Sequence, residues 1–191
     1  MSVIGEIQPL EGTGANVQLV VELGLSQNWI SVASASWTRD GVSAKCDPMH
    51  RTPKDVVTRL LSDVWSHGDV SAVPDIIAER YTIFHDPGDP WDGQTLDRDG
   101  YVQRVLESRA PFPDQRFAIC EMLAEDAKVA VTWTWSGTHR LPVAGMPATN
   151  RVIQMSGATI YSFEGAVIAG HWQITDRLGV FRQLSERQSG A

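Results

Sequence analysis

Residues 129–139 read Val-Ala-Val-Thr-Trp-Thr-Trp-Ser-Gly-Thr-His. Successive side chains on a β-strand point to opposite faces, so Trp133, Trp135 and His139 share one face while Thr132, Thr134, Ser136 and Thr138 share the other. The small polar face suits solvent or a wet interface, and the tryptophan face suits an apolar cavity. The same parity along residues 167–176 groups Trp172, Ile174 and Asp176. With both tryptophan faces turned inward, two strands bring a histidine and a carboxylate into an aromatic environment, a setting for acid/base chemistry without a cofactor.

Working outward, strands are expected at 116–124, 129–139, 152–163 and 167–176. Glu125-Asp126-Ala127 and Glu164-Gly165-Ala166 are short and polar, as hairpin connections are. Upstream the period becomes helical. Thr52-Pro53 with Asp55 reads as an N-cap with proline in the first turn, and Val56, Leu60 and Val64 with Val57, Leu61 and Trp65 form an apolar stripe that ends at His67-Gly68. A short helix is expected at 70–78, with Pro74 tolerated only near its first turn. A strand at 81–86 is broken by Pro87-Gly88-Asp89-Pro90, and a third helix runs from a cap at Asp97 or Asp99 to about Arg109, before Ala110-Pro111-Phe112-Pro113-Asp114. Helices first and hairpins afterwards is an α+β order, since a parallel sheet would alternate the two. The expected architecture is a curved antiparallel sheet wrapped against three helices.

Residues 1–50 stand outside this scheme. Val17 and its neighbours to Val21 suit a strand or a buried helix, and residues 29–38 alternate loosely, but Gly12, Gly14 and Gly24 interrupt any long element. The pattern breaks across 45–53, so a compact domain is expected over 51–186, with an N-terminal extension and a tail at 187–191. The 191 residues, 42% hydrophobic and 20% charged, are ordinary for one soluble domain. A net charge of -7 argues against a nucleic-acid partner, which needs a basic footprint. Cys46 and Cys120 form neither a metal pair nor a redox motif, a reducing cytoplasm is the expected compartment, and neither a secretory signal nor a membrane span is read.

Two residues are the primary acid/base candidates. Asp176 follows Trp172 and precedes Leu178 and Phe181; a carboxylate among apolar groups loses hydration and becomes a better proton carrier near neutral pH. The competing reading is an exposed aspartate that starts the turn Asp176-Arg177-Leu178-Gly179. His85, at the end of its strand before Asp86-Pro87, can exchange a proton or donate to a developing oxyanion, or serve only to bond nearby backbone. His139 is the third candidate, against the alternative that it ties a turn at a strand end. His171 lies opposite Trp172 in parity and reads as structural or surface, and His50 and His67 flank helices. No metal-ligand spacing, no nucleotide-binding glycine loop after Gly12-Thr13-Gly14, and no serine elbow is present.

Asp86-Pro87 with Gly93, then Phe112-Pro113-Asp114, Gly137-Thr138-His139, Gly145-x-Pro147-Ala148-Thr149-x-Arg151 and His171-Trp172-x-x-x-Asp176-x-x-Gly179 with Gln183-Leu184 resemble the SnoaL-like polyketide cyclases. These belong to the nuclear transport factor two-like superfamily. The ordered match covers roughly residues 53 to 184. The resemblance implies a cone-shaped α+β barrel with a deep apolar pocket, and a homodimer formed through the outer sheet face. It implies that Asp176 is the acid/base of an intramolecular aldol condensation of a polyketide ester. His85 or His139 then holds the carbonyl oxygen, Trp133, Trp135 and Trp172 form the walls, and Ile174, Tyr81 and Phe112 complete the substrate contacts. The enolate charge is delocalised in the substrate, so no metal and no organic cofactor is implied. Asn150 stands where a glycine is usual, His171 where an acidic residue is common, and Ser185 replaces a glycine.

Three functions compete on these grounds. The first is a cofactor-independent cyclase or isomerase acting on a polyketide-like, carbonyl-rich small molecule. The second is another enzyme on the same fold, such as an epoxide hydrolase or dehydratase, with Arg151 and Asp86 as its nameable groups. The third is a non-catalytic binder of an apolar ligand.

Overall fold

The computed structural model describes Asn16–Val17, Ala35–Ser36 and residues 51–185. The chain divides into two units between residues 50 and 51. In the first, Asn16–Val17 and Ala35–Ser36 pair antiparallel. The other expectations for residues 1–50, and the tail at 187–191, lie outside the described residues.

The second unit opens with the cap the sequence announces. Thr52 Oγ1 accepts from the Asp55 backbone N–H at 3.3 Å, while the Asp55 carboxylate accepts from Thr52 N–H at 2.9 Å. This reciprocal box, with Pro53 in the first turn, starts helix α1 (Pro53–Arg59). The helix widens into a π-helical stretch, Leu60–His67, where the Ser66 hydroxyl and the His67 ring bond the carbonyls of Leu61 and Ser62, five residues back. Gly68 ends it with φ of 78°, a conformation that favours glycine. Val57, Leu60 and Val64 are fully buried, as the stripe requires.

The expected helix at 70–78 is shorter. A 3-10 turn, Val70–Ala72, leads into α2 (Val73–Ile76), and Ile77 already has extended backbone, so strand β1 (Ile77–His85) starts four residues before the expected position. A short strand β2 (Thr95–Leu96) precedes α3 (Arg98–Arg109), which Asp97 caps through Gly100 N–H at 2.8 Å. Then come β3 (Arg116–Glu125), β4 (Lys128–Thr138), β5 (Val152–Glu164) and β6 (Val167–Thr175). A further helix, α4 (Arg177–Ser185), occupies residues read from sequence as a turn.

The six strands form one curved sheet in the order β2-β1-β6-β5-β4-β3. It is mixed rather than purely antiparallel. β6 returns from two hairpins to lie beside β1 in the same direction, and this parallel pair joins the hairpin strands to the first half of the domain. The core lies between the helices and the inner face, where Ile77, Ile83, Val105, Val129 and Ile168 are fully buried. Gly157 matters for this packing. A Cβ there would meet the Trp133 ring at 2.5 Å, so the bare backbone of β5 makes room for the indole. Among the described residues no helix is long and apolar enough to cross a membrane.

Candidate active site

Two register shifts decide which side chains face inward. Between β5 and β6, Phe163 pairs with Ile168 and Ser162 with Gly170, so Ala169 is one residue more than β5 supplies. Between β1 and β6, Ile83 pairs with His171 and His85 with Trp172, so Phe84 is extra in β1. Each extra residue reverses the alternation beyond it. Ile168 faces in, and past the shift so do His171 and Gln173. Ile83 faces in, and past its own shift so does Asp86, leaving His85 outside.

The inward side chains line a cavity of about 710 Å³ between the sheet, the π-helical stretch Leu60–His67, α3 and α4. Trp65, Tyr81, Phe112, Phe117, Trp133 and Trp135 give it aromatic walls. The rings meet edge to face, Phe117 against Trp133 at 5.0 Å and Phe112 against Trp135 at 4.9 Å, a favoured geometry that fixes the wall shape.

A polar cluster interrupts these walls, with Asp89, Arg104, His171, Gln173 and Arg177 in the lining and Asp86 buried behind them. Asp86, 1% exposed, accepts from Arg177 Nη2 at 2.7 Å, Arg104 Nη2 at 3.2 Å and Gln173 Nε2 at 3.1 Å. Arg104 also reaches Asp89 at 3.1 Å and lies over the Trp65 ring at 5.2 Å. Burial alone would raise the Asp86 pKa, but His171 and the two guanidinium groups outweigh it and hold the carboxyl at about 2. His171, 2% exposed, is pushed below the ordinary imidazole range by burial, against the pull of Asp86, and is neutral at neutral pH. Burial pushes the Tyr81 phenol well above its usual range, so it keeps its proton.

These protonation states orient the ring. His171 Nδ1 lies 2.7 Å from Tyr81 Oη, and Nε2 lies 3.6 Å from Asp86 Oδ2. Nε2 makes no hydrogen bond, but the ionised carboxylate 3.6 Å away favours the proton on Nε2, which leaves Nδ1 to accept from Tyr81. Asp86, His171 and Tyr81 therefore form a line along which a proton can move from phenol to imidazole, with a carboxylate beside the imidazolium that results.

The expected site residues divide between the two sides of the sheet. Tyr81, Phe112, Trp133 and Trp135 line the cavity. Trp172 and Ile174 are on the outer face, 38% and 51% exposed, which reverses the expectation that they look inward. His85 stacks flat on Trp172 at 5.0 Å, on that outer side. Asp176 is exposed and accepts from Gly179 N–H at 2.8 Å as the cap of α4, so the reading in which it starts a turn describes its position and the cavity-facing one does not. His139 is buried but does not reach the cavity. Phe112 stacks on its ring at 5.4 Å, and its backbone ties the 139–151 connection through Arg151 and Asn150. Asn150 takes φ of 57°, the left-handed conformation that asparagine tolerates in place of glycine.

Sequence parity missed His171, Gln173 and Arg104, and placed His171 on the wrong side. In the sequence Asp86 enters through the family resemblance and as a group for epoxide opening, not as part of this line. The available signal was Gly170, whose missing side chain lets β6 approach the β1 backbone at the shift. Among the described residues no three His, Cys, Asp or Glu side chains gather as a metal-ligand set.

A curved six-stranded mixed sheet packed with helices around an aromatic-walled cavity is the nuclear transport factor two-like fold. Residues 55–184 match the family model for SnoaL-like polyketide cyclases, and the chain belongs to that family. A solved structure of a candidate polyketide cyclase from Acidithiobacillus ferrooxidans is 50% identical. It aligns over 69% of this chain and 92% of its own, with a TM-score of 0.66. IdmH, a candidate polyketide cyclase from Streptomyces antibioticus, shares 24% identity over 71% of this chain and 100% of its own, with a TM-score of 0.61. AclR, a candidate hydroxylase from Streptomyces galilaeus, shares 16% over 69% and 93% with a TM-score of 0.58, a likeness of fold alone. A search of curated proteins finds no match.

Proposed function

We propose that the protein is an enzyme, a cofactor-independent cyclase or isomerase that performs intramolecular aldol-type acid/base chemistry on a polyketide-like, carbonyl-rich small molecule. The observation that carries this reading is the Asp86–His171–Tyr81 line, in which His171 and Tyr81 line a cavity rich in aromatic side chains and Asp86 is buried behind them. The volume, about 710 Å³, lies within the ~300 to 1,000 Å³ of small-molecule sites.

The chemistry follows from the protonation states. Tyr81 Oη takes the carbon-bound proton of the substrate as its own proton passes to His171 Nδ1, which leaves an imidazolium beside Asp86. The enolate so formed, delocalised over the substrate carbonyls, attacks a second carbonyl carbon and closes the ring. The resulting alkoxide takes a proton from Tyr81, which recovers its own from His171, and the site returns to its starting state. The aromatic walls hold a flat ring system and keep water from the enolate.

A second reading is the addition or loss of water, because Arg104 holds Asp89, which lines the cavity, together with Asp86 behind it. The low pKa of Asp86 disfavours it, since a carboxylate bonded on all sides is a weak base for water. Exposed Ile160, paired across the sheet with Trp172, and exposed Ile174 support assembly as a homodimer through the outer face. The test is Tyr81→Phe with an aromatic β-keto ester in D2O. Deuterium entry at the acidic carbon should fall by at least ~10², the usual effect of losing a general acid/base. Unchanged exchange sinks the mechanism, and incorporation of ¹⁸O from labelled water into product would favour the second reading.

A further inference from the structure

Gln173 follows His171 by two residues on the inward face of β6 and lines the same cavity. Its amide is held from both ends. The Trp133 indole can only donate, and it donates to Thr159 Oγ1 at 2.9 Å. Thr159 gives its own proton to Gln173 Oε1 at 2.7 Å. At the other end Gln173 Nε2 donates to Asp86 Oδ2 at 3.1 Å, and that carboxylate can only accept. A donor-only group behind the amide oxygen and an acceptor-only group before the nitrogen leave one orientation. Thr159 is 1% exposed and does not line the cavity, so the orientation is built into the sheet before any ligand arrives. One N–H of Gln173 is engaged by Asp86; among the described residues the second has no acceptor.

We propose that this second N–H binds the substrate oxygen that gains charge, and that the cavity therefore selects a carbonyl at this wall. The inference rests on the acid/base reading above and supplies its oxyanion donor. A fixed donor aimed before the reaction needs no reorganisation as charge develops, which is the condition for strong transition-state stabilisation. A substrate group that can only donate meets another donor at the same point and is disfavoured.

Binding of 9-fluorenone and fluorene, flat tricycles with and without the carbonyl, tests this without any native substrate. Quenching of tryptophan fluorescence, with Trp133 and Trp135 in the wall, reads both affinities. The wild type should prefer fluorenone by about 3- to 10-fold, the range of one net hydrogen bond. Gln173→Met keeps length and volume without a donor, so the preference should vanish while fluorene affinity stays. Thr159→Val, outside the cavity, frees the amide oxygen and should leave an intermediate preference. Equal affinities in the wild type, a preserved preference in Gln173→Met, or an equal loss of both ligands in that variant each overturn the proposal. If Gln173→Met does not fold, an unchanged preference in Thr159→Val overturns it instead. Deuterium exchange by the same proteins keeps the two ideas apart. A wild type that prefers fluorenone but exchanges nothing supports the donor and sinks the acid/base reading; normal exchange by Gln173→Met sinks the donor alone.

Discussion

The inner and outer faces of the β1–β6 pair carry nearly the same chemistry. Outside lie His85, Trp172 and, just past the strand, Asp176; inside lie His171, Tyr81 and Asp86. What separates them is enclosure. The outer histidine stacks on a half-exposed indole and the outer aspartate caps a helix, whereas the inner pair is buried, bonded and backed by two guanidinium groups. A histidine and an aspartate become part of a proton line or of the surface according to the face that the shifts at Ala169 and Phe84 give them.

The largest effect expected from breaking this contrast is on the buried side. Asp86→Asn keeps the shape but removes the charge that Arg104 and Arg177 face, and Arg104 is itself buried. Loss of one partner from a buried pair costs about 3–5 kcal/mol, here softened because Asp89 remains with Arg104 and Arg177 is partly exposed; urea unfolding should show a loss at the low end of that range.

The pH dependence of stability should follow the same groups. His171 is held below its ordinary 6.5, so the unfolded chain takes up its proton first and stability falls as pH drops through that value. Asp86, lowered from 3.8 to about 2, adds a contribution fully present above pH 3.8 and lost as pH falls to about 2, worth roughly 2 kcal/mol. Melting temperature measured against pH should show both losses, and in His171→Gln the first should be absent. On the outer side, Asp176→Ala removes only the cap on Gly179 N–H and should cost about 1 kcal/mol in the same melts, with the cavity unchanged.

Most of the fold was legible because its signals are local. The Thr52 box, the Gly68 stop and the Glu125-to-Lys128 and Glu164-to-Val167 hairpins act over a few residues, and the structure places each near its expected position. The tryptophan face of β4 was legible too, because no shift interrupts its pairing with β5 from Lys128 to Thr138. The site was legible as a type but not as residues. Parity correctly grouped Trp172 with Ile174 and Asp176, but which group faces in depends on Ala169 and Phe84, and a bulge is a property of two paired strands. The parallel partnership of β1 with β6 is likewise long-range, joining residues such as Thr82 and Gly170, and no local pattern encodes it. The α4 helix was missed because Asp176 with Gly179 reads equally as a turn or as a cap.

The central claim, that the inner pair and not the outer one moves the proton, is tested most directly by one side-by-side rate. Deuterium exchange into an aromatic β-keto ester is measured for His171→Gln and Asp176→Asn, with fluorenone binding and the melting curve confirming that each is folded and open to ligand. The account predicts a loss of ~10² or more for His171→Gln and a change within about twofold for Asp176→Asn. The reverse pattern, with Asp176→Asn inactive while folded and binding and His171→Gln near normal, would contradict it and return the chemistry to the outer carboxylate.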